Sequence, residues 1–165
     1  LQTIGDIGRD ALADMRKILG VLRHDDDDLL TRPQGDTTDL EQLITQVRES
    51  GLDISLLQLG QPRSLPPGVD TALYRVCQEA LTNVLKHAGP AVHVVVMVQW
   101  RERSVELKVD DDGRGAAAQT DERGHGLVGM RERANVFGGT LVAGPKVGGG
   151  FRVHLTLPLP QVTTG

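Results

Sequence analysis

The sequence predicts an α/β protein, and three observations carry that expectation. From about Val69 to Ala88, the residues Leu73, Val76, Cys77, Ala80, Leu81, Val84 and Ala88 recur at three- and four-residue steps, the spacing of one helix face turned to a core. Val105-Glu106-Leu107-Lys108-Val109 and Phe151 to Leu157 instead alternate apolar with polar, as strands with one covered face do. Between these patterns two glycine clusters, Asp110-Asp111-Asp112-Gly113-Arg114-Gly115 and Gly124-His125-Gly126-Leu127-Val128-Gly129, bracket one short segment where strand gives way to helix.

Composition narrows the class. The chain has 165 residues, 39% of them apolar, enough for one domain with a real core plus an appended element. Its formal charge of −4, with one Trp, one Tyr and two Phe, argues against a nucleic-acid surface, which needs a basic groove and stacking rings. The single cysteine, Cys77, cannot form an internal disulfide and suits a reducing compartment; on the apolar face of a helix it reads as a structural thiol. No apolar run approaches the roughly 20 residues that cross a bilayer, and the start lacks a signal-peptide pattern, so a soluble, cytoplasmic chain is expected.

The elements follow in order. Leu1, Ile4, Gly8, Ala11, Met15, Ile18 and Leu22 form a bundle-type seam over residues 1–24. Such a stripe needs a partner helix, most simply in a homodimer, although packing on its own domain also satisfies it. His24, Asp25 to Asp28, Pro33 and Gly35 mark a linker over 25–38, whose acidic run reads as solvated rather than metal-binding. Thr38 or Asp39 can cap a helix from Leu40 to about Ser50, and Ile54, Leu56, Leu57 and Leu59 suggest a strand ending at Gly60-Gln61-Pro62. After the Val69 helix, Val92 to Val98 is a continuous apolar run with few charges and reads as a buried central strand. Arg101 to Ser104 turns into the Val105 strand. Ala116 to Arg123 then forms a short lid, and a helix opens at the second glycine cluster with Leu127, Met130, Ala134 and Phe137 inward. Gly138-Gly139 stops that helix, Thr140 to Ala143 begins a strand, and Gly148-Gly149-Gly150 turns into the last strand, ended by Pro158 and Pro160. A main domain over 39–160 and a tail over 161–165 complete the division.

Chemistry concentrates at three places. Glu79, Asn83, Lys86 and His87 form a polar strip at the edge of the Val69 helix's apolar face; Glu79 and Asn83, one turn apart, offer oxygens suited to a hard cation such as Mg²⁺. A solvated flank with Glu-to-Lys pairing is the other reading. Asp111-x-Gly113-x-Gly115 puts a carboxylate beside backbone without side chains, so a flat ligand can approach while Asp111 accepts its hydrogen bond; an Asp-Gly hairpin turn is the bland alternative. N–H groups at a helix start around Gly124, with Arg123 nearby, favour an anionic phosphate. Together the three suggest a purine nucleotide. No P-loop, Rossmann fingerprint, zinc spacing or Gly-x-Ser-x-Gly elbow competes with that reading.

Their order, Glu79–His87, then Asp111-x-Gly113-x-Gly115, then Gly124-His125-Gly126-Leu127, resembles the boxes of the histidine-kinase-type ATPases, the family that includes gyrase and a heat-shock chaperone. "EALTNVLKHA" at 79–88, "DDGRG" at 111–115, "GHGLVGMRERA" at 124–134 and "GGGFRVHLTLPLP" at 148–160 are similar to the NarL-type branch of bacterial sensor histidine kinases, and "MRKILGVLR" at 15–23 to the second helix of that branch's dimerisation domain. The resemblance implies a Bergerat-type two-layer α/β sandwich, a mixed sheet of about five strands under three helices, preceded by one long helix. It implies ATP and Mg²⁺ as cofactors: Asp111 on the adenine amino group, Asn83 and Glu79 in the metal network, Lys86 and His87 near the phosphates, Gly113 and Gly115 admitting the base, and Gly124, His125, Gly126 and Leu127 around the triphosphate. It further implies a homodimer through the first helix and a response regulator, LuxR/NarL-type, as phosphoryl acceptor, with no nucleic acid and no direct membrane contact. That branch's phosphoacceptor His-Asp or His-Glu pair lies on a first dimerisation helix without a counterpart here. His24-Asp25 falls at the end of the second helix and is not assigned the role, so autophosphorylation is not expected of this segment alone. An anti-sigma-factor-type serine kinase of the same superfamily, and a non-catalytic nucleotide-gated dimerisation module, are the alternatives.

Overall fold

In the computed structural model, the residues described are 38–87, 91–113 and 121–161. The expected seam helix over 1–24, residues 25–37 of the expected linker, Gly115 and the residues up to Thr120 lie outside them, while Thr38 opens the first helix. The elements are α1 (Thr38–Glu49), β1 (Asp53–Leu59), α2 (Val69–His87), β2 (His93–Trp100), β3 (Ser104–Asp111), α3 (Asp121–Val136), β4 (Thr140–Pro145) and β5 (Phe151–Pro158). The five strands form one sheet in the order β1-β2-β3-β5-β4. β1 and β2 run parallel and the other neighbours antiparallel, so the sheet is mixed. A parallel pair needs a crossover, and α2 supplies it.

All three helices lie in one layer: α1 packs on β1 and α2, α2 on β3 and β5, and α3 on α2, β4 and β5. The core fills the space between the layers. Val94, Val96, Val98 and Trp100 of β2, Val105, Leu107 and Val109 of β3, and Phe151, Val153, Leu155 and Leu157 of β5 point into it against Leu73, Val76, Cys77, Ala80 and Leu81 of α2 and Met130 and Ala134 of α3. Burial pushes the Cys77 thiol up to about 12, so it stays protonated and acts as packing.

β2 corrects one expectation. The Val92–Val98 run is an interior strand, and Val94, Val96 and Val98 are fully buried, but β3 is the central one, and His93, Val95, Met97 and Gln99 of β2 are only half-buried. Helices cover a single face, so Val95 on the other remains at the open surface, where a β-branched side chain still suits the pleat. That open face carries cross-strand charge pairs. Asp110 and Arg152, opposite one another in register, form a two-bonded pair at 2.8 and 2.7 Å. Glu106 accepts from Arg101 and lies 3.1 Å from His154 Nε2.

α3 corrects a second. It begins at Asp121, not at the glycine cluster, so Gly124 to Gly129 lie inside the helix and residues 121–123 belong to it rather than to a lid. Each helical glycine costs up to about 1 kcal/mol relative to alanine. Burial of Met130 and Ala134 and contact of Leu127 and Phe137 with the core offset that cost, tertiary packing overriding propensity. The stop is as expected: Gly138, at φ 72°, donates to Asn135 O at 3.1 Å and Gly139 to Ala134 O at 2.8 Å, a Schellman end that only a residue at ease in the left-handed region makes cheaply.

Candidate functional site

Asp111 is the last residue of β3 and falls on the same alternation as Val105, Leu107 and Val109. Its carboxylate therefore faces the helices, 3% exposed, at the end of an otherwise apolar row. Two devices hold it there. Asp111 Oδ1 accepts the Gly113 N–H at 2.8 Å, closing the turn that the Asp-x-Gly spacing suggested. Asp112 ties the strand end to β2, its N–H donating to His93 O at 3.2 Å and its Oδ1 accepting the His93 N–H at 2.7 Å. From the neighbouring hairpin Gly150, at φ 89°, comes so close that a Cβ would collide with the Asp111 carbonyl oxygen. Sequence reading took Gly148 to Gly150 for a turn and missed this contact; the signal available was the pairing of Phe151 with Asp111 that follows once the two strands are neighbours.

The second group lies on α2, which packs over β3. Asn83 is 5% exposed, and its Nδ2 is buried without a hydrogen-bond partner. A buried amide left unmet costs about 1–3 kcal/mol, which marks a position built for a polar group from elsewhere. Glu79, one turn earlier, is half-buried, and Lys86 is exposed. α3 brings the second glycine cluster to this pair: a Cβ on Gly126 would lie 2.6 Å from Glu79 Oε1 and 3.5 Å from Asn83 Nδ2. Bare backbone at Gly126 is what lets the helices close over the two side chains.

The structure thus assembles Glu79, Asn83 and Gly126, with Leu127 partly buried beside the core, and it joins Asp111 to Gly113. The two groups share the interlayer side of the sheet. His87, Arg123, Gly124 and His125 are placed in helices. The side chains of His87, Arg123 and His125 lie outside the described residues, as does Gly115. The free helix-start amides expected around Gly124 to Leu127 are not found, because from within α3 most of these N–H groups bond to the preceding turn.

Among the described residues no three His, Cys, Asp or Glu gather around a common point. One carboxylate and one amide do not make a closed metal cage. They fit a hard cation that takes its remaining ligands from water and from phosphate oxygens, as Mg²⁺ characteristically does.

Residues 68–161 match the family model described as histidine kinase-, DNA gyrase B-, and HSP90-like ATPase, more than half of the chain. The chain is 33% identical over 161 residues, 96% of its length, to the sensor histidine kinase YxjM of Bacillus subtilis (strain 168). It is 32% identical over 154 residues, 92% of its length, to the signal transduction histidine-protein kinase/phosphatase DegS of Brevibacillus brevis. It spans only 37% and 38% of those two proteins. Among solved structures, the ATP-binding domain of PrrB from Mycobacterium tuberculosis superposes with a TM-score of 0.57 at 28% identity, over 76% of this chain and 96% of that one.

Proposed function

Because the chain belongs to the histidine kinase-, DNA gyrase B-, and HSP90-like ATPase family, we propose that it is the ATP-binding catalytic domain of a two-component sensor histidine kinase. The whole kinase moves the γ-phosphoryl of ATP to a histidine carried outside the residues described, and thence to an aspartate of a response regulator of the LuxR/NarL type. Residues 1–24 supply the second helix of its dimerisation domain, 25–38 the linker and 39–160 the ATPase domain. The kinase domain acts in the cytoplasm; among the described residues no helix is long and apolar enough to cross a membrane.

The residues divide the work by position. Asp111 receives the adenine amino group, with Gly113 and Gly115 leaving room for the ring. Asn83 and Glu79 hold Mg²⁺ through oxygen, Lys86, His87 and Arg123 attract phosphate, and Gly124, His125, Gly126 and Leu127 border the triphosphate. Mg²⁺, when bound, neutralises phosphate charge. The protein's own contribution is positioning and charge complementarity, which dominate phosphoryl transfer generally.

The observation that carries this reading is the unpartnered Asn83 amide, buried beside Glu79 and under Gly126, on the same interlayer side as the buried Asp111 carboxylate. Calorimetric titration with a Mg·ATP analogue tests it. Asp111→Asn retains an oxygen for the Gly113 N–H and removes the charge that an amino group sees. The expected loss is at least about 1.5 kcal/mol, roughly tenfold in affinity. Equal binding by wild type and Asp111→Asn removes the adenine contact from the proposal.

A further inference from the structure

Two close approaches describe how the α3 segment lies on the α2 segment. Gly126 meets Glu79, and at the other end a Cβ on Gly68 would lie 2.8 Å from Phe137 Cζ. Gly68 immediately precedes α2 and Phe137 immediately follows α3, so the two segments run antiparallel, with contacts near both ends. Gly126 cannot slip away from Glu79 without moving Phe137.

We infer that Gly126 is a positioning residue for Glu79: its bare Cα surface is the wall against which the Glu79 carboxylate rests, setting where that carboxylate meets a metal–nucleotide complex. The inference rests on the proposed role of Glu79 and Asn83 toward Mg²⁺ and assigns Gly126 a part played through Glu79, in addition to its place at the border of the triphosphate. At 2.6 Å a Cβ is too close to Oε1, but that atom is the far end of a flexible side chain. The helix therefore stays, and the carboxylate gives way by about 0.8 Å, the difference between 2.6 Å and the 3.4 Å at which ordinary contact begins. Displacements near 1 Å can cost up to about a hundredfold where geometry matters. Gly129, three residues on in the same helix, has nothing within 4 Å of its Cβ position and provides the internal control.

The experiment titrates the full chain with ATP in Mg²⁺ and in EDTA, and records thermal unfolding, for wild type, Gly126→Ala, Gly129→Ala, Glu79→Ala and the Gly126→Ala/Glu79→Ala double variant. Gly126→Ala is expected to lose about tenfold in affinity in Mg²⁺ and distinctly less in EDTA, so that the benefit Mg²⁺ gives to binding shrinks. Gly129→Ala, which changes helix propensity alike, keeps wild-type binding. In the Glu79→Ala background, adding Gly126→Ala costs clearly less than the roughly tenfold it costs in wild type, because the carboxylate it would displace is gone. An equal tenfold loss in that background overturns the inference, as does unchanged Mg²⁺-dependent binding by Gly126→Ala alone. A large fall in melting temperature that the double variant does not recover overturns it too, because the collision would then lie with the fold. Absence of any Mg²⁺-dependent ATP binding by wild type fails the proposed function itself, and the wild-type titration separates that result from the others.

Discussion

Gly150 combines a φ of 89° with an approach to the Asp111 carbonyl that leaves no room for a Cβ, so its replacement tests whether the Asp111 strand end is held from outside β3. Gly150→Ala pairs a left-handed backbone with a collision against backbone that cannot swing aside. A loss of at least about 2 kcal/mol is expected in urea unfolding, with nucleotide affinity falling in parallel. Glu106, on the open face, tests a different force. The hydrogen bond from Arg101, and after it that from His154, hold its carboxyl below the ordinary carboxylate range against the opposing effect of burial. A carboxyl depressed in the folded state stabilises above its unfolded pKa, about 4.3, and that stability is lost as pH falls through the lower folded value. Glu106→Gln should therefore lower the urea midpoint at about pH 7, and the difference from wild type should shrink as pH falls from the unfolded pKa through the lower folded value. A difference that persists undiminished in acid would assign the effect to packing.

At the scale of elements, α3 shows how packing overrules composition. Its glycines and polar residues read as a loop followed by a helix, yet the helix starts at Asp121 because Met130, Ala134 and Leu127 find the core. Gly129, mid-helix and without neighbours at its Cβ position, weakens the helix for no contact. Gly129→Ala should raise stability by up to about 1 kcal/mol, read as a higher melting temperature. The strands were legible because alternation survives any tertiary context: β3 and β5 read correctly from their residues. β2 was legible as an interior strand, but its half-open face was not, since an unbroken valine run is compatible with one covered face or two, and only the number of helix layers decides between them.

At the scale of the molecule, any ligand that binds the folded chain alone must stabilise it. Mg·ATP at about one hundred times its dissociation constant should add about 2.7 kcal/mol to the unfolding free energy, seen as a rise in melting temperature that EDTA reduces. An unshifted transition at that concentration would contradict binding between the layers. The residue types were legible along the chain: a carboxylate at a strand end with glycines after it, an amide one turn from a glutamate, and glycines opening toward both. Those follow from local periodicity and from what each side chain can donate or accept, which do not depend on distant segments. That Gly126 stands against Glu79, that Gly150 closes on Asp111, and that the Asn83 amide lies buried without a partner were decided only by the packed structure. Each is a meeting of segments remote along the chain, and sheet order and helix register, set by how the whole core fills, determine which atoms come within contact distance.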